Sequence, residues 1–84
     1  MQIRSSSEFE KDIRKLDLHE RKRLKEIIEK LGEAPEMGKP LHHFGNLFSI
    51  RAQNRRLVYQ FSREKQEVIL LLYKDRDEVY QYLR

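Results

Sequence analysis

Residues Asn54–Phe61 read NRRLVYQF, and the period of this stretch decides the class of fold. Its alternation of branched or aromatic residues with others is the pattern of a strand buried on one face. If Leu57, Tyr59 and Phe61 face a core, period-two geometry puts Arg55 on their side at the strand's edge. Arg56, Val58 and Gln60 then belong to the opposite face, and Arg56 stands on an open sheet surface.

Working outward, LFSIR (Leu47–Arg51) and EVILLLY (Glu67–Tyr73) share the same branched and aromatic character. The segments between them, AQN and SREKQ, are short enough for hairpin connections, so three antiparallel strands form a meander. VILLLY is almost continuously apolar, as in a strand covered on both faces, and is expected to be central. The chain closes with DRDEVYQYLR, a short helix or irregular tail for which Asp75 is a plausible cap.

The N-terminal half has a helical period. Ser7 and Glu10 form a capping-box pair, and Phe9, Ile13 and Leu16 recur at intervals of four and three, making one apolar stripe. Asp17 with Glu20 repeats the box, predicting a second helix from about Leu18 to Leu31 with Leu24, Ile27, Ile28 and Leu31 inward. Gly32 is the expected left-handed C-terminal residue and Pro35 the block. The basic run ERKRLKE is interleaved with Glu20, Glu26 and Glu29 at pairing distance, which makes a solvated helix face the plainer reading. MQIRSS is a candidate first strand lacking an evident partner, and Glu33–Asn46 has loop chemistry. The expected class is α+β in the order β-α-α-β-β-β, an antiparallel sheet with the helical pair packed on one face and a short C-terminal helix or tail.

A chain of 84 residues is expected to make one domain with one core, burying only about 60–65% of its unfolded surface. It has no cysteine, which removes disulfides and thiolate metal sites. Neither a secretory h-region nor a long apolar run is present, so a cytoplasmic protein without membrane contact is expected. Lys and Arg outnumber Asp and Glu 18 to 14, for a net charge of +4, which suits an anionic partner. Adjacent His42 and His43 invite a metal reading, but they point to different sides of an extended segment, and no third ligand falls at suitable spacing. The plainer reading is a loop pair on the surface or resting on Phe44.

The series SEFEKDIRKL, KPL, LFSIRAQNRRLVYQF and LLLYKDRDEVY resembles the RelE/ParE superfamily of toxins from type II toxin–antitoxin systems over nearly the whole chain. Its most specific parts are the strand around RRLVYQ and the Arg-x-x-x-Tyr near the C-terminus. The resemblance implies a single RelE-like toxin domain over residues 1–84 and an acidic, RelB-like antitoxin as partner. It further implies an endoribonuclease that cuts messenger RNA on the ribosome without metal or cofactor, the 2′-hydroxyl attacking the adjacent phosphate. Such a reaction needs a base for that hydroxyl, cationic donors to the phosphorane oxygens and an acid for the leaving oxygen. By the same resemblance Arg51, Arg56 and Arg76 are the phosphate-binding residues, and Tyr80 orients the base or assists proton transfer. These four are expected on the concave face left open by the helices.

This sequence departs from the family in carrying Ser49 where well-studied RelE members have a lysine, and Arg51 has no accessible neutral form to act as a base. Lys74 could serve if neighbouring cations lowered its pKa, and His43 if its loop reaches the site. Tyr80 and Tyr82 are also candidates for stacking on bases. Two other functions fit the same family: a ParE-like inhibitor of DNA gyrase, and a non-catalytic member that binds an antitoxin or nucleic acid.

Overall fold

A computed structural model describes residues 1–83, in the order β1 (Gln2–Ser5), α1 (Ser7–Ile13), α2 (Leu18–Glu33), β2 (Lys39–Pro40), β3 (Leu47–Ala52), β4 (Arg55–Ser62), β5 (Glu67–Asp75) and α3 (Arg76–Leu83). The meander is present as β3-β4-β5, and the α+β class holds. The sheet has five strands in the order β1-β5-β4-β3-β2, so β4 is central and β5 lies between β4 and β1. It is mixed rather than wholly antiparallel, because β1 pairs parallel with β5 from Gln2↔Glu67 to Ser5↔Leu70. No described helix is long and apolar enough to cross a membrane.

Both N-terminal helices place their stripes on one sheet face. Phe9 on α1, Leu16 in the connection after it, and Leu24 and Leu31 on α2 join Leu57, Tyr59, Phe61, Val68, Leu70 and Tyr73 in the main core, with Ile13, Ile27 and Ile28 packed against it. The Asp17 capping box is formed, the Glu20 amide donating to Asp17 Oδ1 at 2.8 Å. The first cap is displaced by one residue. Ser6, not Ser7, is extended and accepts from the Phe9 amide at 3.1 Å, while Glu10 accepts from the Ser5 hydroxyl. Gly32 lies inside α2 rather than after it, its α-carbon facing Ile3; the helix stops just before Pro35, whose ring bars the α region to its predecessor.

A bulge arranges the opposite face. Val58 pairs with Leu72 but Tyr59 pairs with Leu70, leaving Leu71 as the extra residue of β5. An extra residue inverts the parity of a strand. Val68 and Leu70 therefore face the main core before the bulge and Tyr73 after it, while Leu72 joins Val58 and Val79 in a second cluster with Leu41, Leu71 and Leu83 around it. The polar groups released at the bulge bond to the two ends of α1. The Ser6 hydroxyl donates to the Leu71 carbonyl at 2.8 Å, and the Tyr73 amide donates to Asp12 Oδ2 at 2.9 Å.

The second cluster corrects the expectation of an open face. The tail is a helix, capped reciprocally by Asp75 and Glu78, and Val79 on it covers Val58, which is fully buried.

Candidate functional site

Between α3, β2 and the loop that follows β2 runs a groove of about 470 Å³, lined by Lys39, Pro40, Leu41, His42, Phe44, Ser49, Arg56, Val79, Tyr80 and Leu83. That is the size range of small-ligand sites. Its walls are apolar where Leu41, Phe44, Val79 and Leu83 meet; its polar groups are Lys39, His42, Ser49, Arg56 and Tyr80.

The position of β2 depends on Tyr59. This buried ring stacks on Phe48 with centroids 5.4 Å apart, and its hydroxyl donates to the Pro35 carbonyl at 2.8 Å while accepting from the Gly38 amide at 3.0 Å. Burial pushes the Tyr59 phenol above its ordinary value, against the Gly38 hydrogen bond and with a contribution from Glu36. A β-carbon on Gly38 would lie 2.7 Å from that hydroxyl and 3.1 Å from the Ser49 carbonyl. Glycine thus lets the loop close on the sheet, and Lys39–Pro40 follow as an edge pair on Ser49 and Phe48.

The two arginines of the opening stretch separate as the alternation requires. Arg55 turns to the helical side, where its Nε donates to Glu20 at 3.3 Å and its guanidinium lies 5.8 Å from the centre of the Tyr73 ring. Arg56 turns to the groove. Its register neighbours are Arg51 on β3 and Lys74 on β5, so three cationic residues stand abreast on adjacent strands, which are about 4.8 Å apart.

These three cations differ in their surroundings. Lys74 Nζ contacts Asp12 Oδ1 at 2.7 Å and Glu8 Oε2 at 2.8 Å, and the Tyr82 ring lies 5.4 Å away. Burial pulls its pKa down, but the hydrogen bonds and charges of Asp12 and Glu8 outweigh it, leaving the ammonium above its ordinary value. The condition for Lys74 as a base, a pKa lowered by neighbouring cations, is reversed by these two carboxylates. Arg51, Arg56 and Arg76 make no ion pair among the described residues.

On α3, the Arg76 guanidinium carbon lies 5.6 Å from the centre of the Tyr80 ring. Arg76, as hydrogen-bond donor and as charge, holds the exposed Tyr80 phenol below its ordinary value, with Arg56 and Lys39 adding to the pull. Arg56 and Tyr80 thus share one groove; Arg51 adjoins Arg56 by register and Arg76 adjoins Tyr80. His42, not His43, lines the groove. His43 has φ 73°, a left-handed residue that reverses the chain, and the two imidazole rings tilt apart by 59°.

Lys39, Leu41 and Leu83 carry no mark in the sequence that places them at the groove, and His42, expected as half of a surface loop pair, lines it. The one available signal was apolar spacing: Val79 and Leu83 stand four apart and share a face of a short helix.

The arrangement can hold a phosphodiester. A planar guanidinium donates two parallel hydrogen bonds to a phosphate, an exposed phenol offers a ring to a base and a proton to a leaving oxygen, and the apolar wall accepts a ribose or base edge.

A family model described as the ParE toxin of type II toxin–antitoxin system, parDE, matches residues 3–80. The isolated E. coli RelE toxin is 28% identical with a TM-score of 0.78, the match covering 98% of this chain and 93% of that one. In the intact E. coli RelBE toxin–antitoxin complex the matched chain is 26% identical with a TM-score of 0.79, covering 88% of this chain and 94% of that one. The RelB–RelE complex from Methanococcus jannaschii shares the fold, with 23% identity and a TM-score of 0.78 over 96% of this chain and 99% of that one. No curated protein sequence matches.

Proposed function

We propose, from the premise that this chain belongs to the ParE toxin family of type II toxin–antitoxin systems, that it is a toxin acting as an endoribonuclease on messenger RNA engaged by the ribosome. The observation that carries this reading is Arg56: a groove-lining guanidinium beside Arg51, paired with no carboxylate among the described residues. In the proposed reaction Arg56 and Arg51 hold the scissile phosphate and stabilise the charge that builds on its oxygens. Arg76 keeps Tyr80 in place, and Tyr80 stacks on a base or protonates the leaving 5′-oxygen.

An antitoxin is the expected partner, since E. coli RelE and the Methanococcus RelE have been solved with RelB. The uncompensated cations at Arg51, Arg56, Arg76 and Lys39 suit an acidic segment. Replacing Arg56 by alanine removes a phosphate contact and no core area, so toxicity on induction should vanish while the fold persists. Full toxicity of that variant sinks the assignment. The family model is named for ParE, which favours gyrase as the second reading; chromosomal breakage with intact translation would establish it.

A further inference from the structure

The proposed reaction lacks a proton acceptor, and the groove contains a group of the right chemistry. Its titratable members are Lys39, His42, Arg56 and Tyr80. A guanidinium does not deprotonate in a protein and an ammonium has no lone pair to accept a proton, and Tyr80 is already the acid of the proposed reaction. Lys74, the other cation in the row, is engaged by Asp12 and Glu8. An imidazole exchanges a proton near neutrality.

The loop fixes which of the two histidines is presented. The Leu41 amide donates to the Leu47 carbonyl at 3.0 Å, the Phe44 amide to the Leu41 carbonyl at 3.4 Å and the Leu47 amide to the Phe44 carbonyl at 3.1 Å. These bonds close the loop at the foot of β3. Leu41 is drawn into the cluster beneath α3, and the next residue, His42, stands at the groove. The left-handed turn at His43 then carries the chain away. His42 is exposed, as a base that must reach substrate has to be. It lines the groove together with Lys39 from β2, Arg56 from β4 and Tyr80 from α3, and the His43 ring lies 6.4 Å from its own.

Resting on the function proposed above, we propose that His42 is the catalytic base of this toxin, taking the proton of the attacking 2′-hydroxyl in the groove that it shares with Tyr80. The unprotonated imidazole nitrogen accepts that proton as the 2′-oxygen bonds to phosphorus, and the bond from phosphorus to the 5′-oxygen breaks. The leaving oxygen takes a proton from Tyr80. The products are a 2′,3′-cyclic phosphate and a 5′-hydroxyl, and solvent then returns the two side chains to their starting states. No electron transfer and no co-reactant enter.

The test is single-turnover cleavage of messenger on programmed ribosomes by the wild-type chain and by His42→Gln and His43→Gln, each across pH. His42→Gln should bind ribosomes as wild type does but cut about 10²- to 10⁴-fold more slowly. It should also lose the acid limb that an imidazole base gives the wild-type profile. His43→Gln should keep both rate and profile. A His42→Gln enzyme that keeps the acid limb, whatever its rate, overturns the assignment, as does a loss that falls on His43→Gln instead. A wild-type chain that does not cut removes the proposed activity, and this inference with it. That outcome is distinct from a silent variant beside an active wild type.

Discussion

Replacing Asp12 by alanine strikes the group that joins the first helix to the bulged strand. Its carboxylate accepts the Tyr73 amide at 2.9 Å and Lys74 Nζ at 2.7 Å, and its side chain is only 5% exposed against 13% for that of Lys74. Solvent therefore screens the pair little. Removing one partner of a buried pair costs about 3–5 kcal/mol. Glu8 remains on Lys74 and sets the expectation at the low end, while the stranded Tyr73 amide adds about 1 kcal/mol or more. We expect about 4 kcal/mol in all, a large share of the roughly 4–13 kcal/mol that holds a domain of this length. The urea midpoint should fall by more than about 1 M. Asp12→Asn, which keeps an acceptor for the Tyr73 amide, should recover about 1 kcal/mol of that loss. A midpoint for Asp12→Ala within about 0.3 M of wild type would mean that neither the pair nor the bulge needs this carboxylate.

Stability should decline at both ends of the pH range through the same cluster. The hydrogen bond from Lys74 holds the Glu8 carboxyl below its ordinary 4.5, so its contribution is complete above that value and is lost as pH falls through the lower folded value. Lys74, raised above its ordinary 10.5, contributes fully below 10.5 and loses that contribution as pH rises through the folded value. Glu8→Gln should flatten the acid limb and Lys74→Met the alkaline limb of a thermal-melting profile, and unchanged limbs would count against the cluster. Gly38→Ala forces its β-carbon against Tyr59 and should cost about 1–3 kcal/mol by denaturation. Tyr59→Phe should cost a similar amount, about 1–3 kcal/mol, by stranding the Gly38 amide and Pro35 carbonyl. Arg55→Ala, which loses a half-exposed pair with Glu20, should cost about 1 kcal/mol or less and leave toxicity intact, the opposite of Arg56→Ala; equal toxicity loss in both would dissolve the distinction between the two faces.

The strands of the meander were legible because their period is local: Leu57, Tyr59 and Phe61 alternate, and all three are buried. The box at Asp17 and Glu20 was legible for the same reason. Position along VILLLY was not. Every residue of that run is apolar or aromatic, so nothing in it marks Leu71 as the extra one, yet that bulge decides that Tyr73 enters the core and that Lys74 stands beside Arg56. Pairings far apart along the chain were equally hidden. The parallel register of β1 on β5, and the reach of Lys74 across 62 and 66 residues to Asp12 and Glu8, depend on the assembled fold. Arg56 and Tyr80 were placed by resemblance, and the structure sets both in one groove. That His42 rather than His43 lines the groove goes with the loop's hydrogen bonds and the left-handed φ of 73° at His43, which no side-chain pattern announces. The helical tail left a trace in the spacing of Val79 and Leu83, but only Val58, buried on the supposedly open face, shows what that helix covers.

The proposed function stands or falls with Arg56 meeting the phosphate of a translated messenger. The direct measurement is induction of the chain in cells, followed within minutes by mapping of messenger RNA 5′ ends, for wild type and Arg56→Ala at matched protein levels. New ends should appear inside translated codons with wild type and be absent with Arg56→Ala. Growth arrest by wild type with no such ends, or an identical set of ends from both proteins, would contradict it.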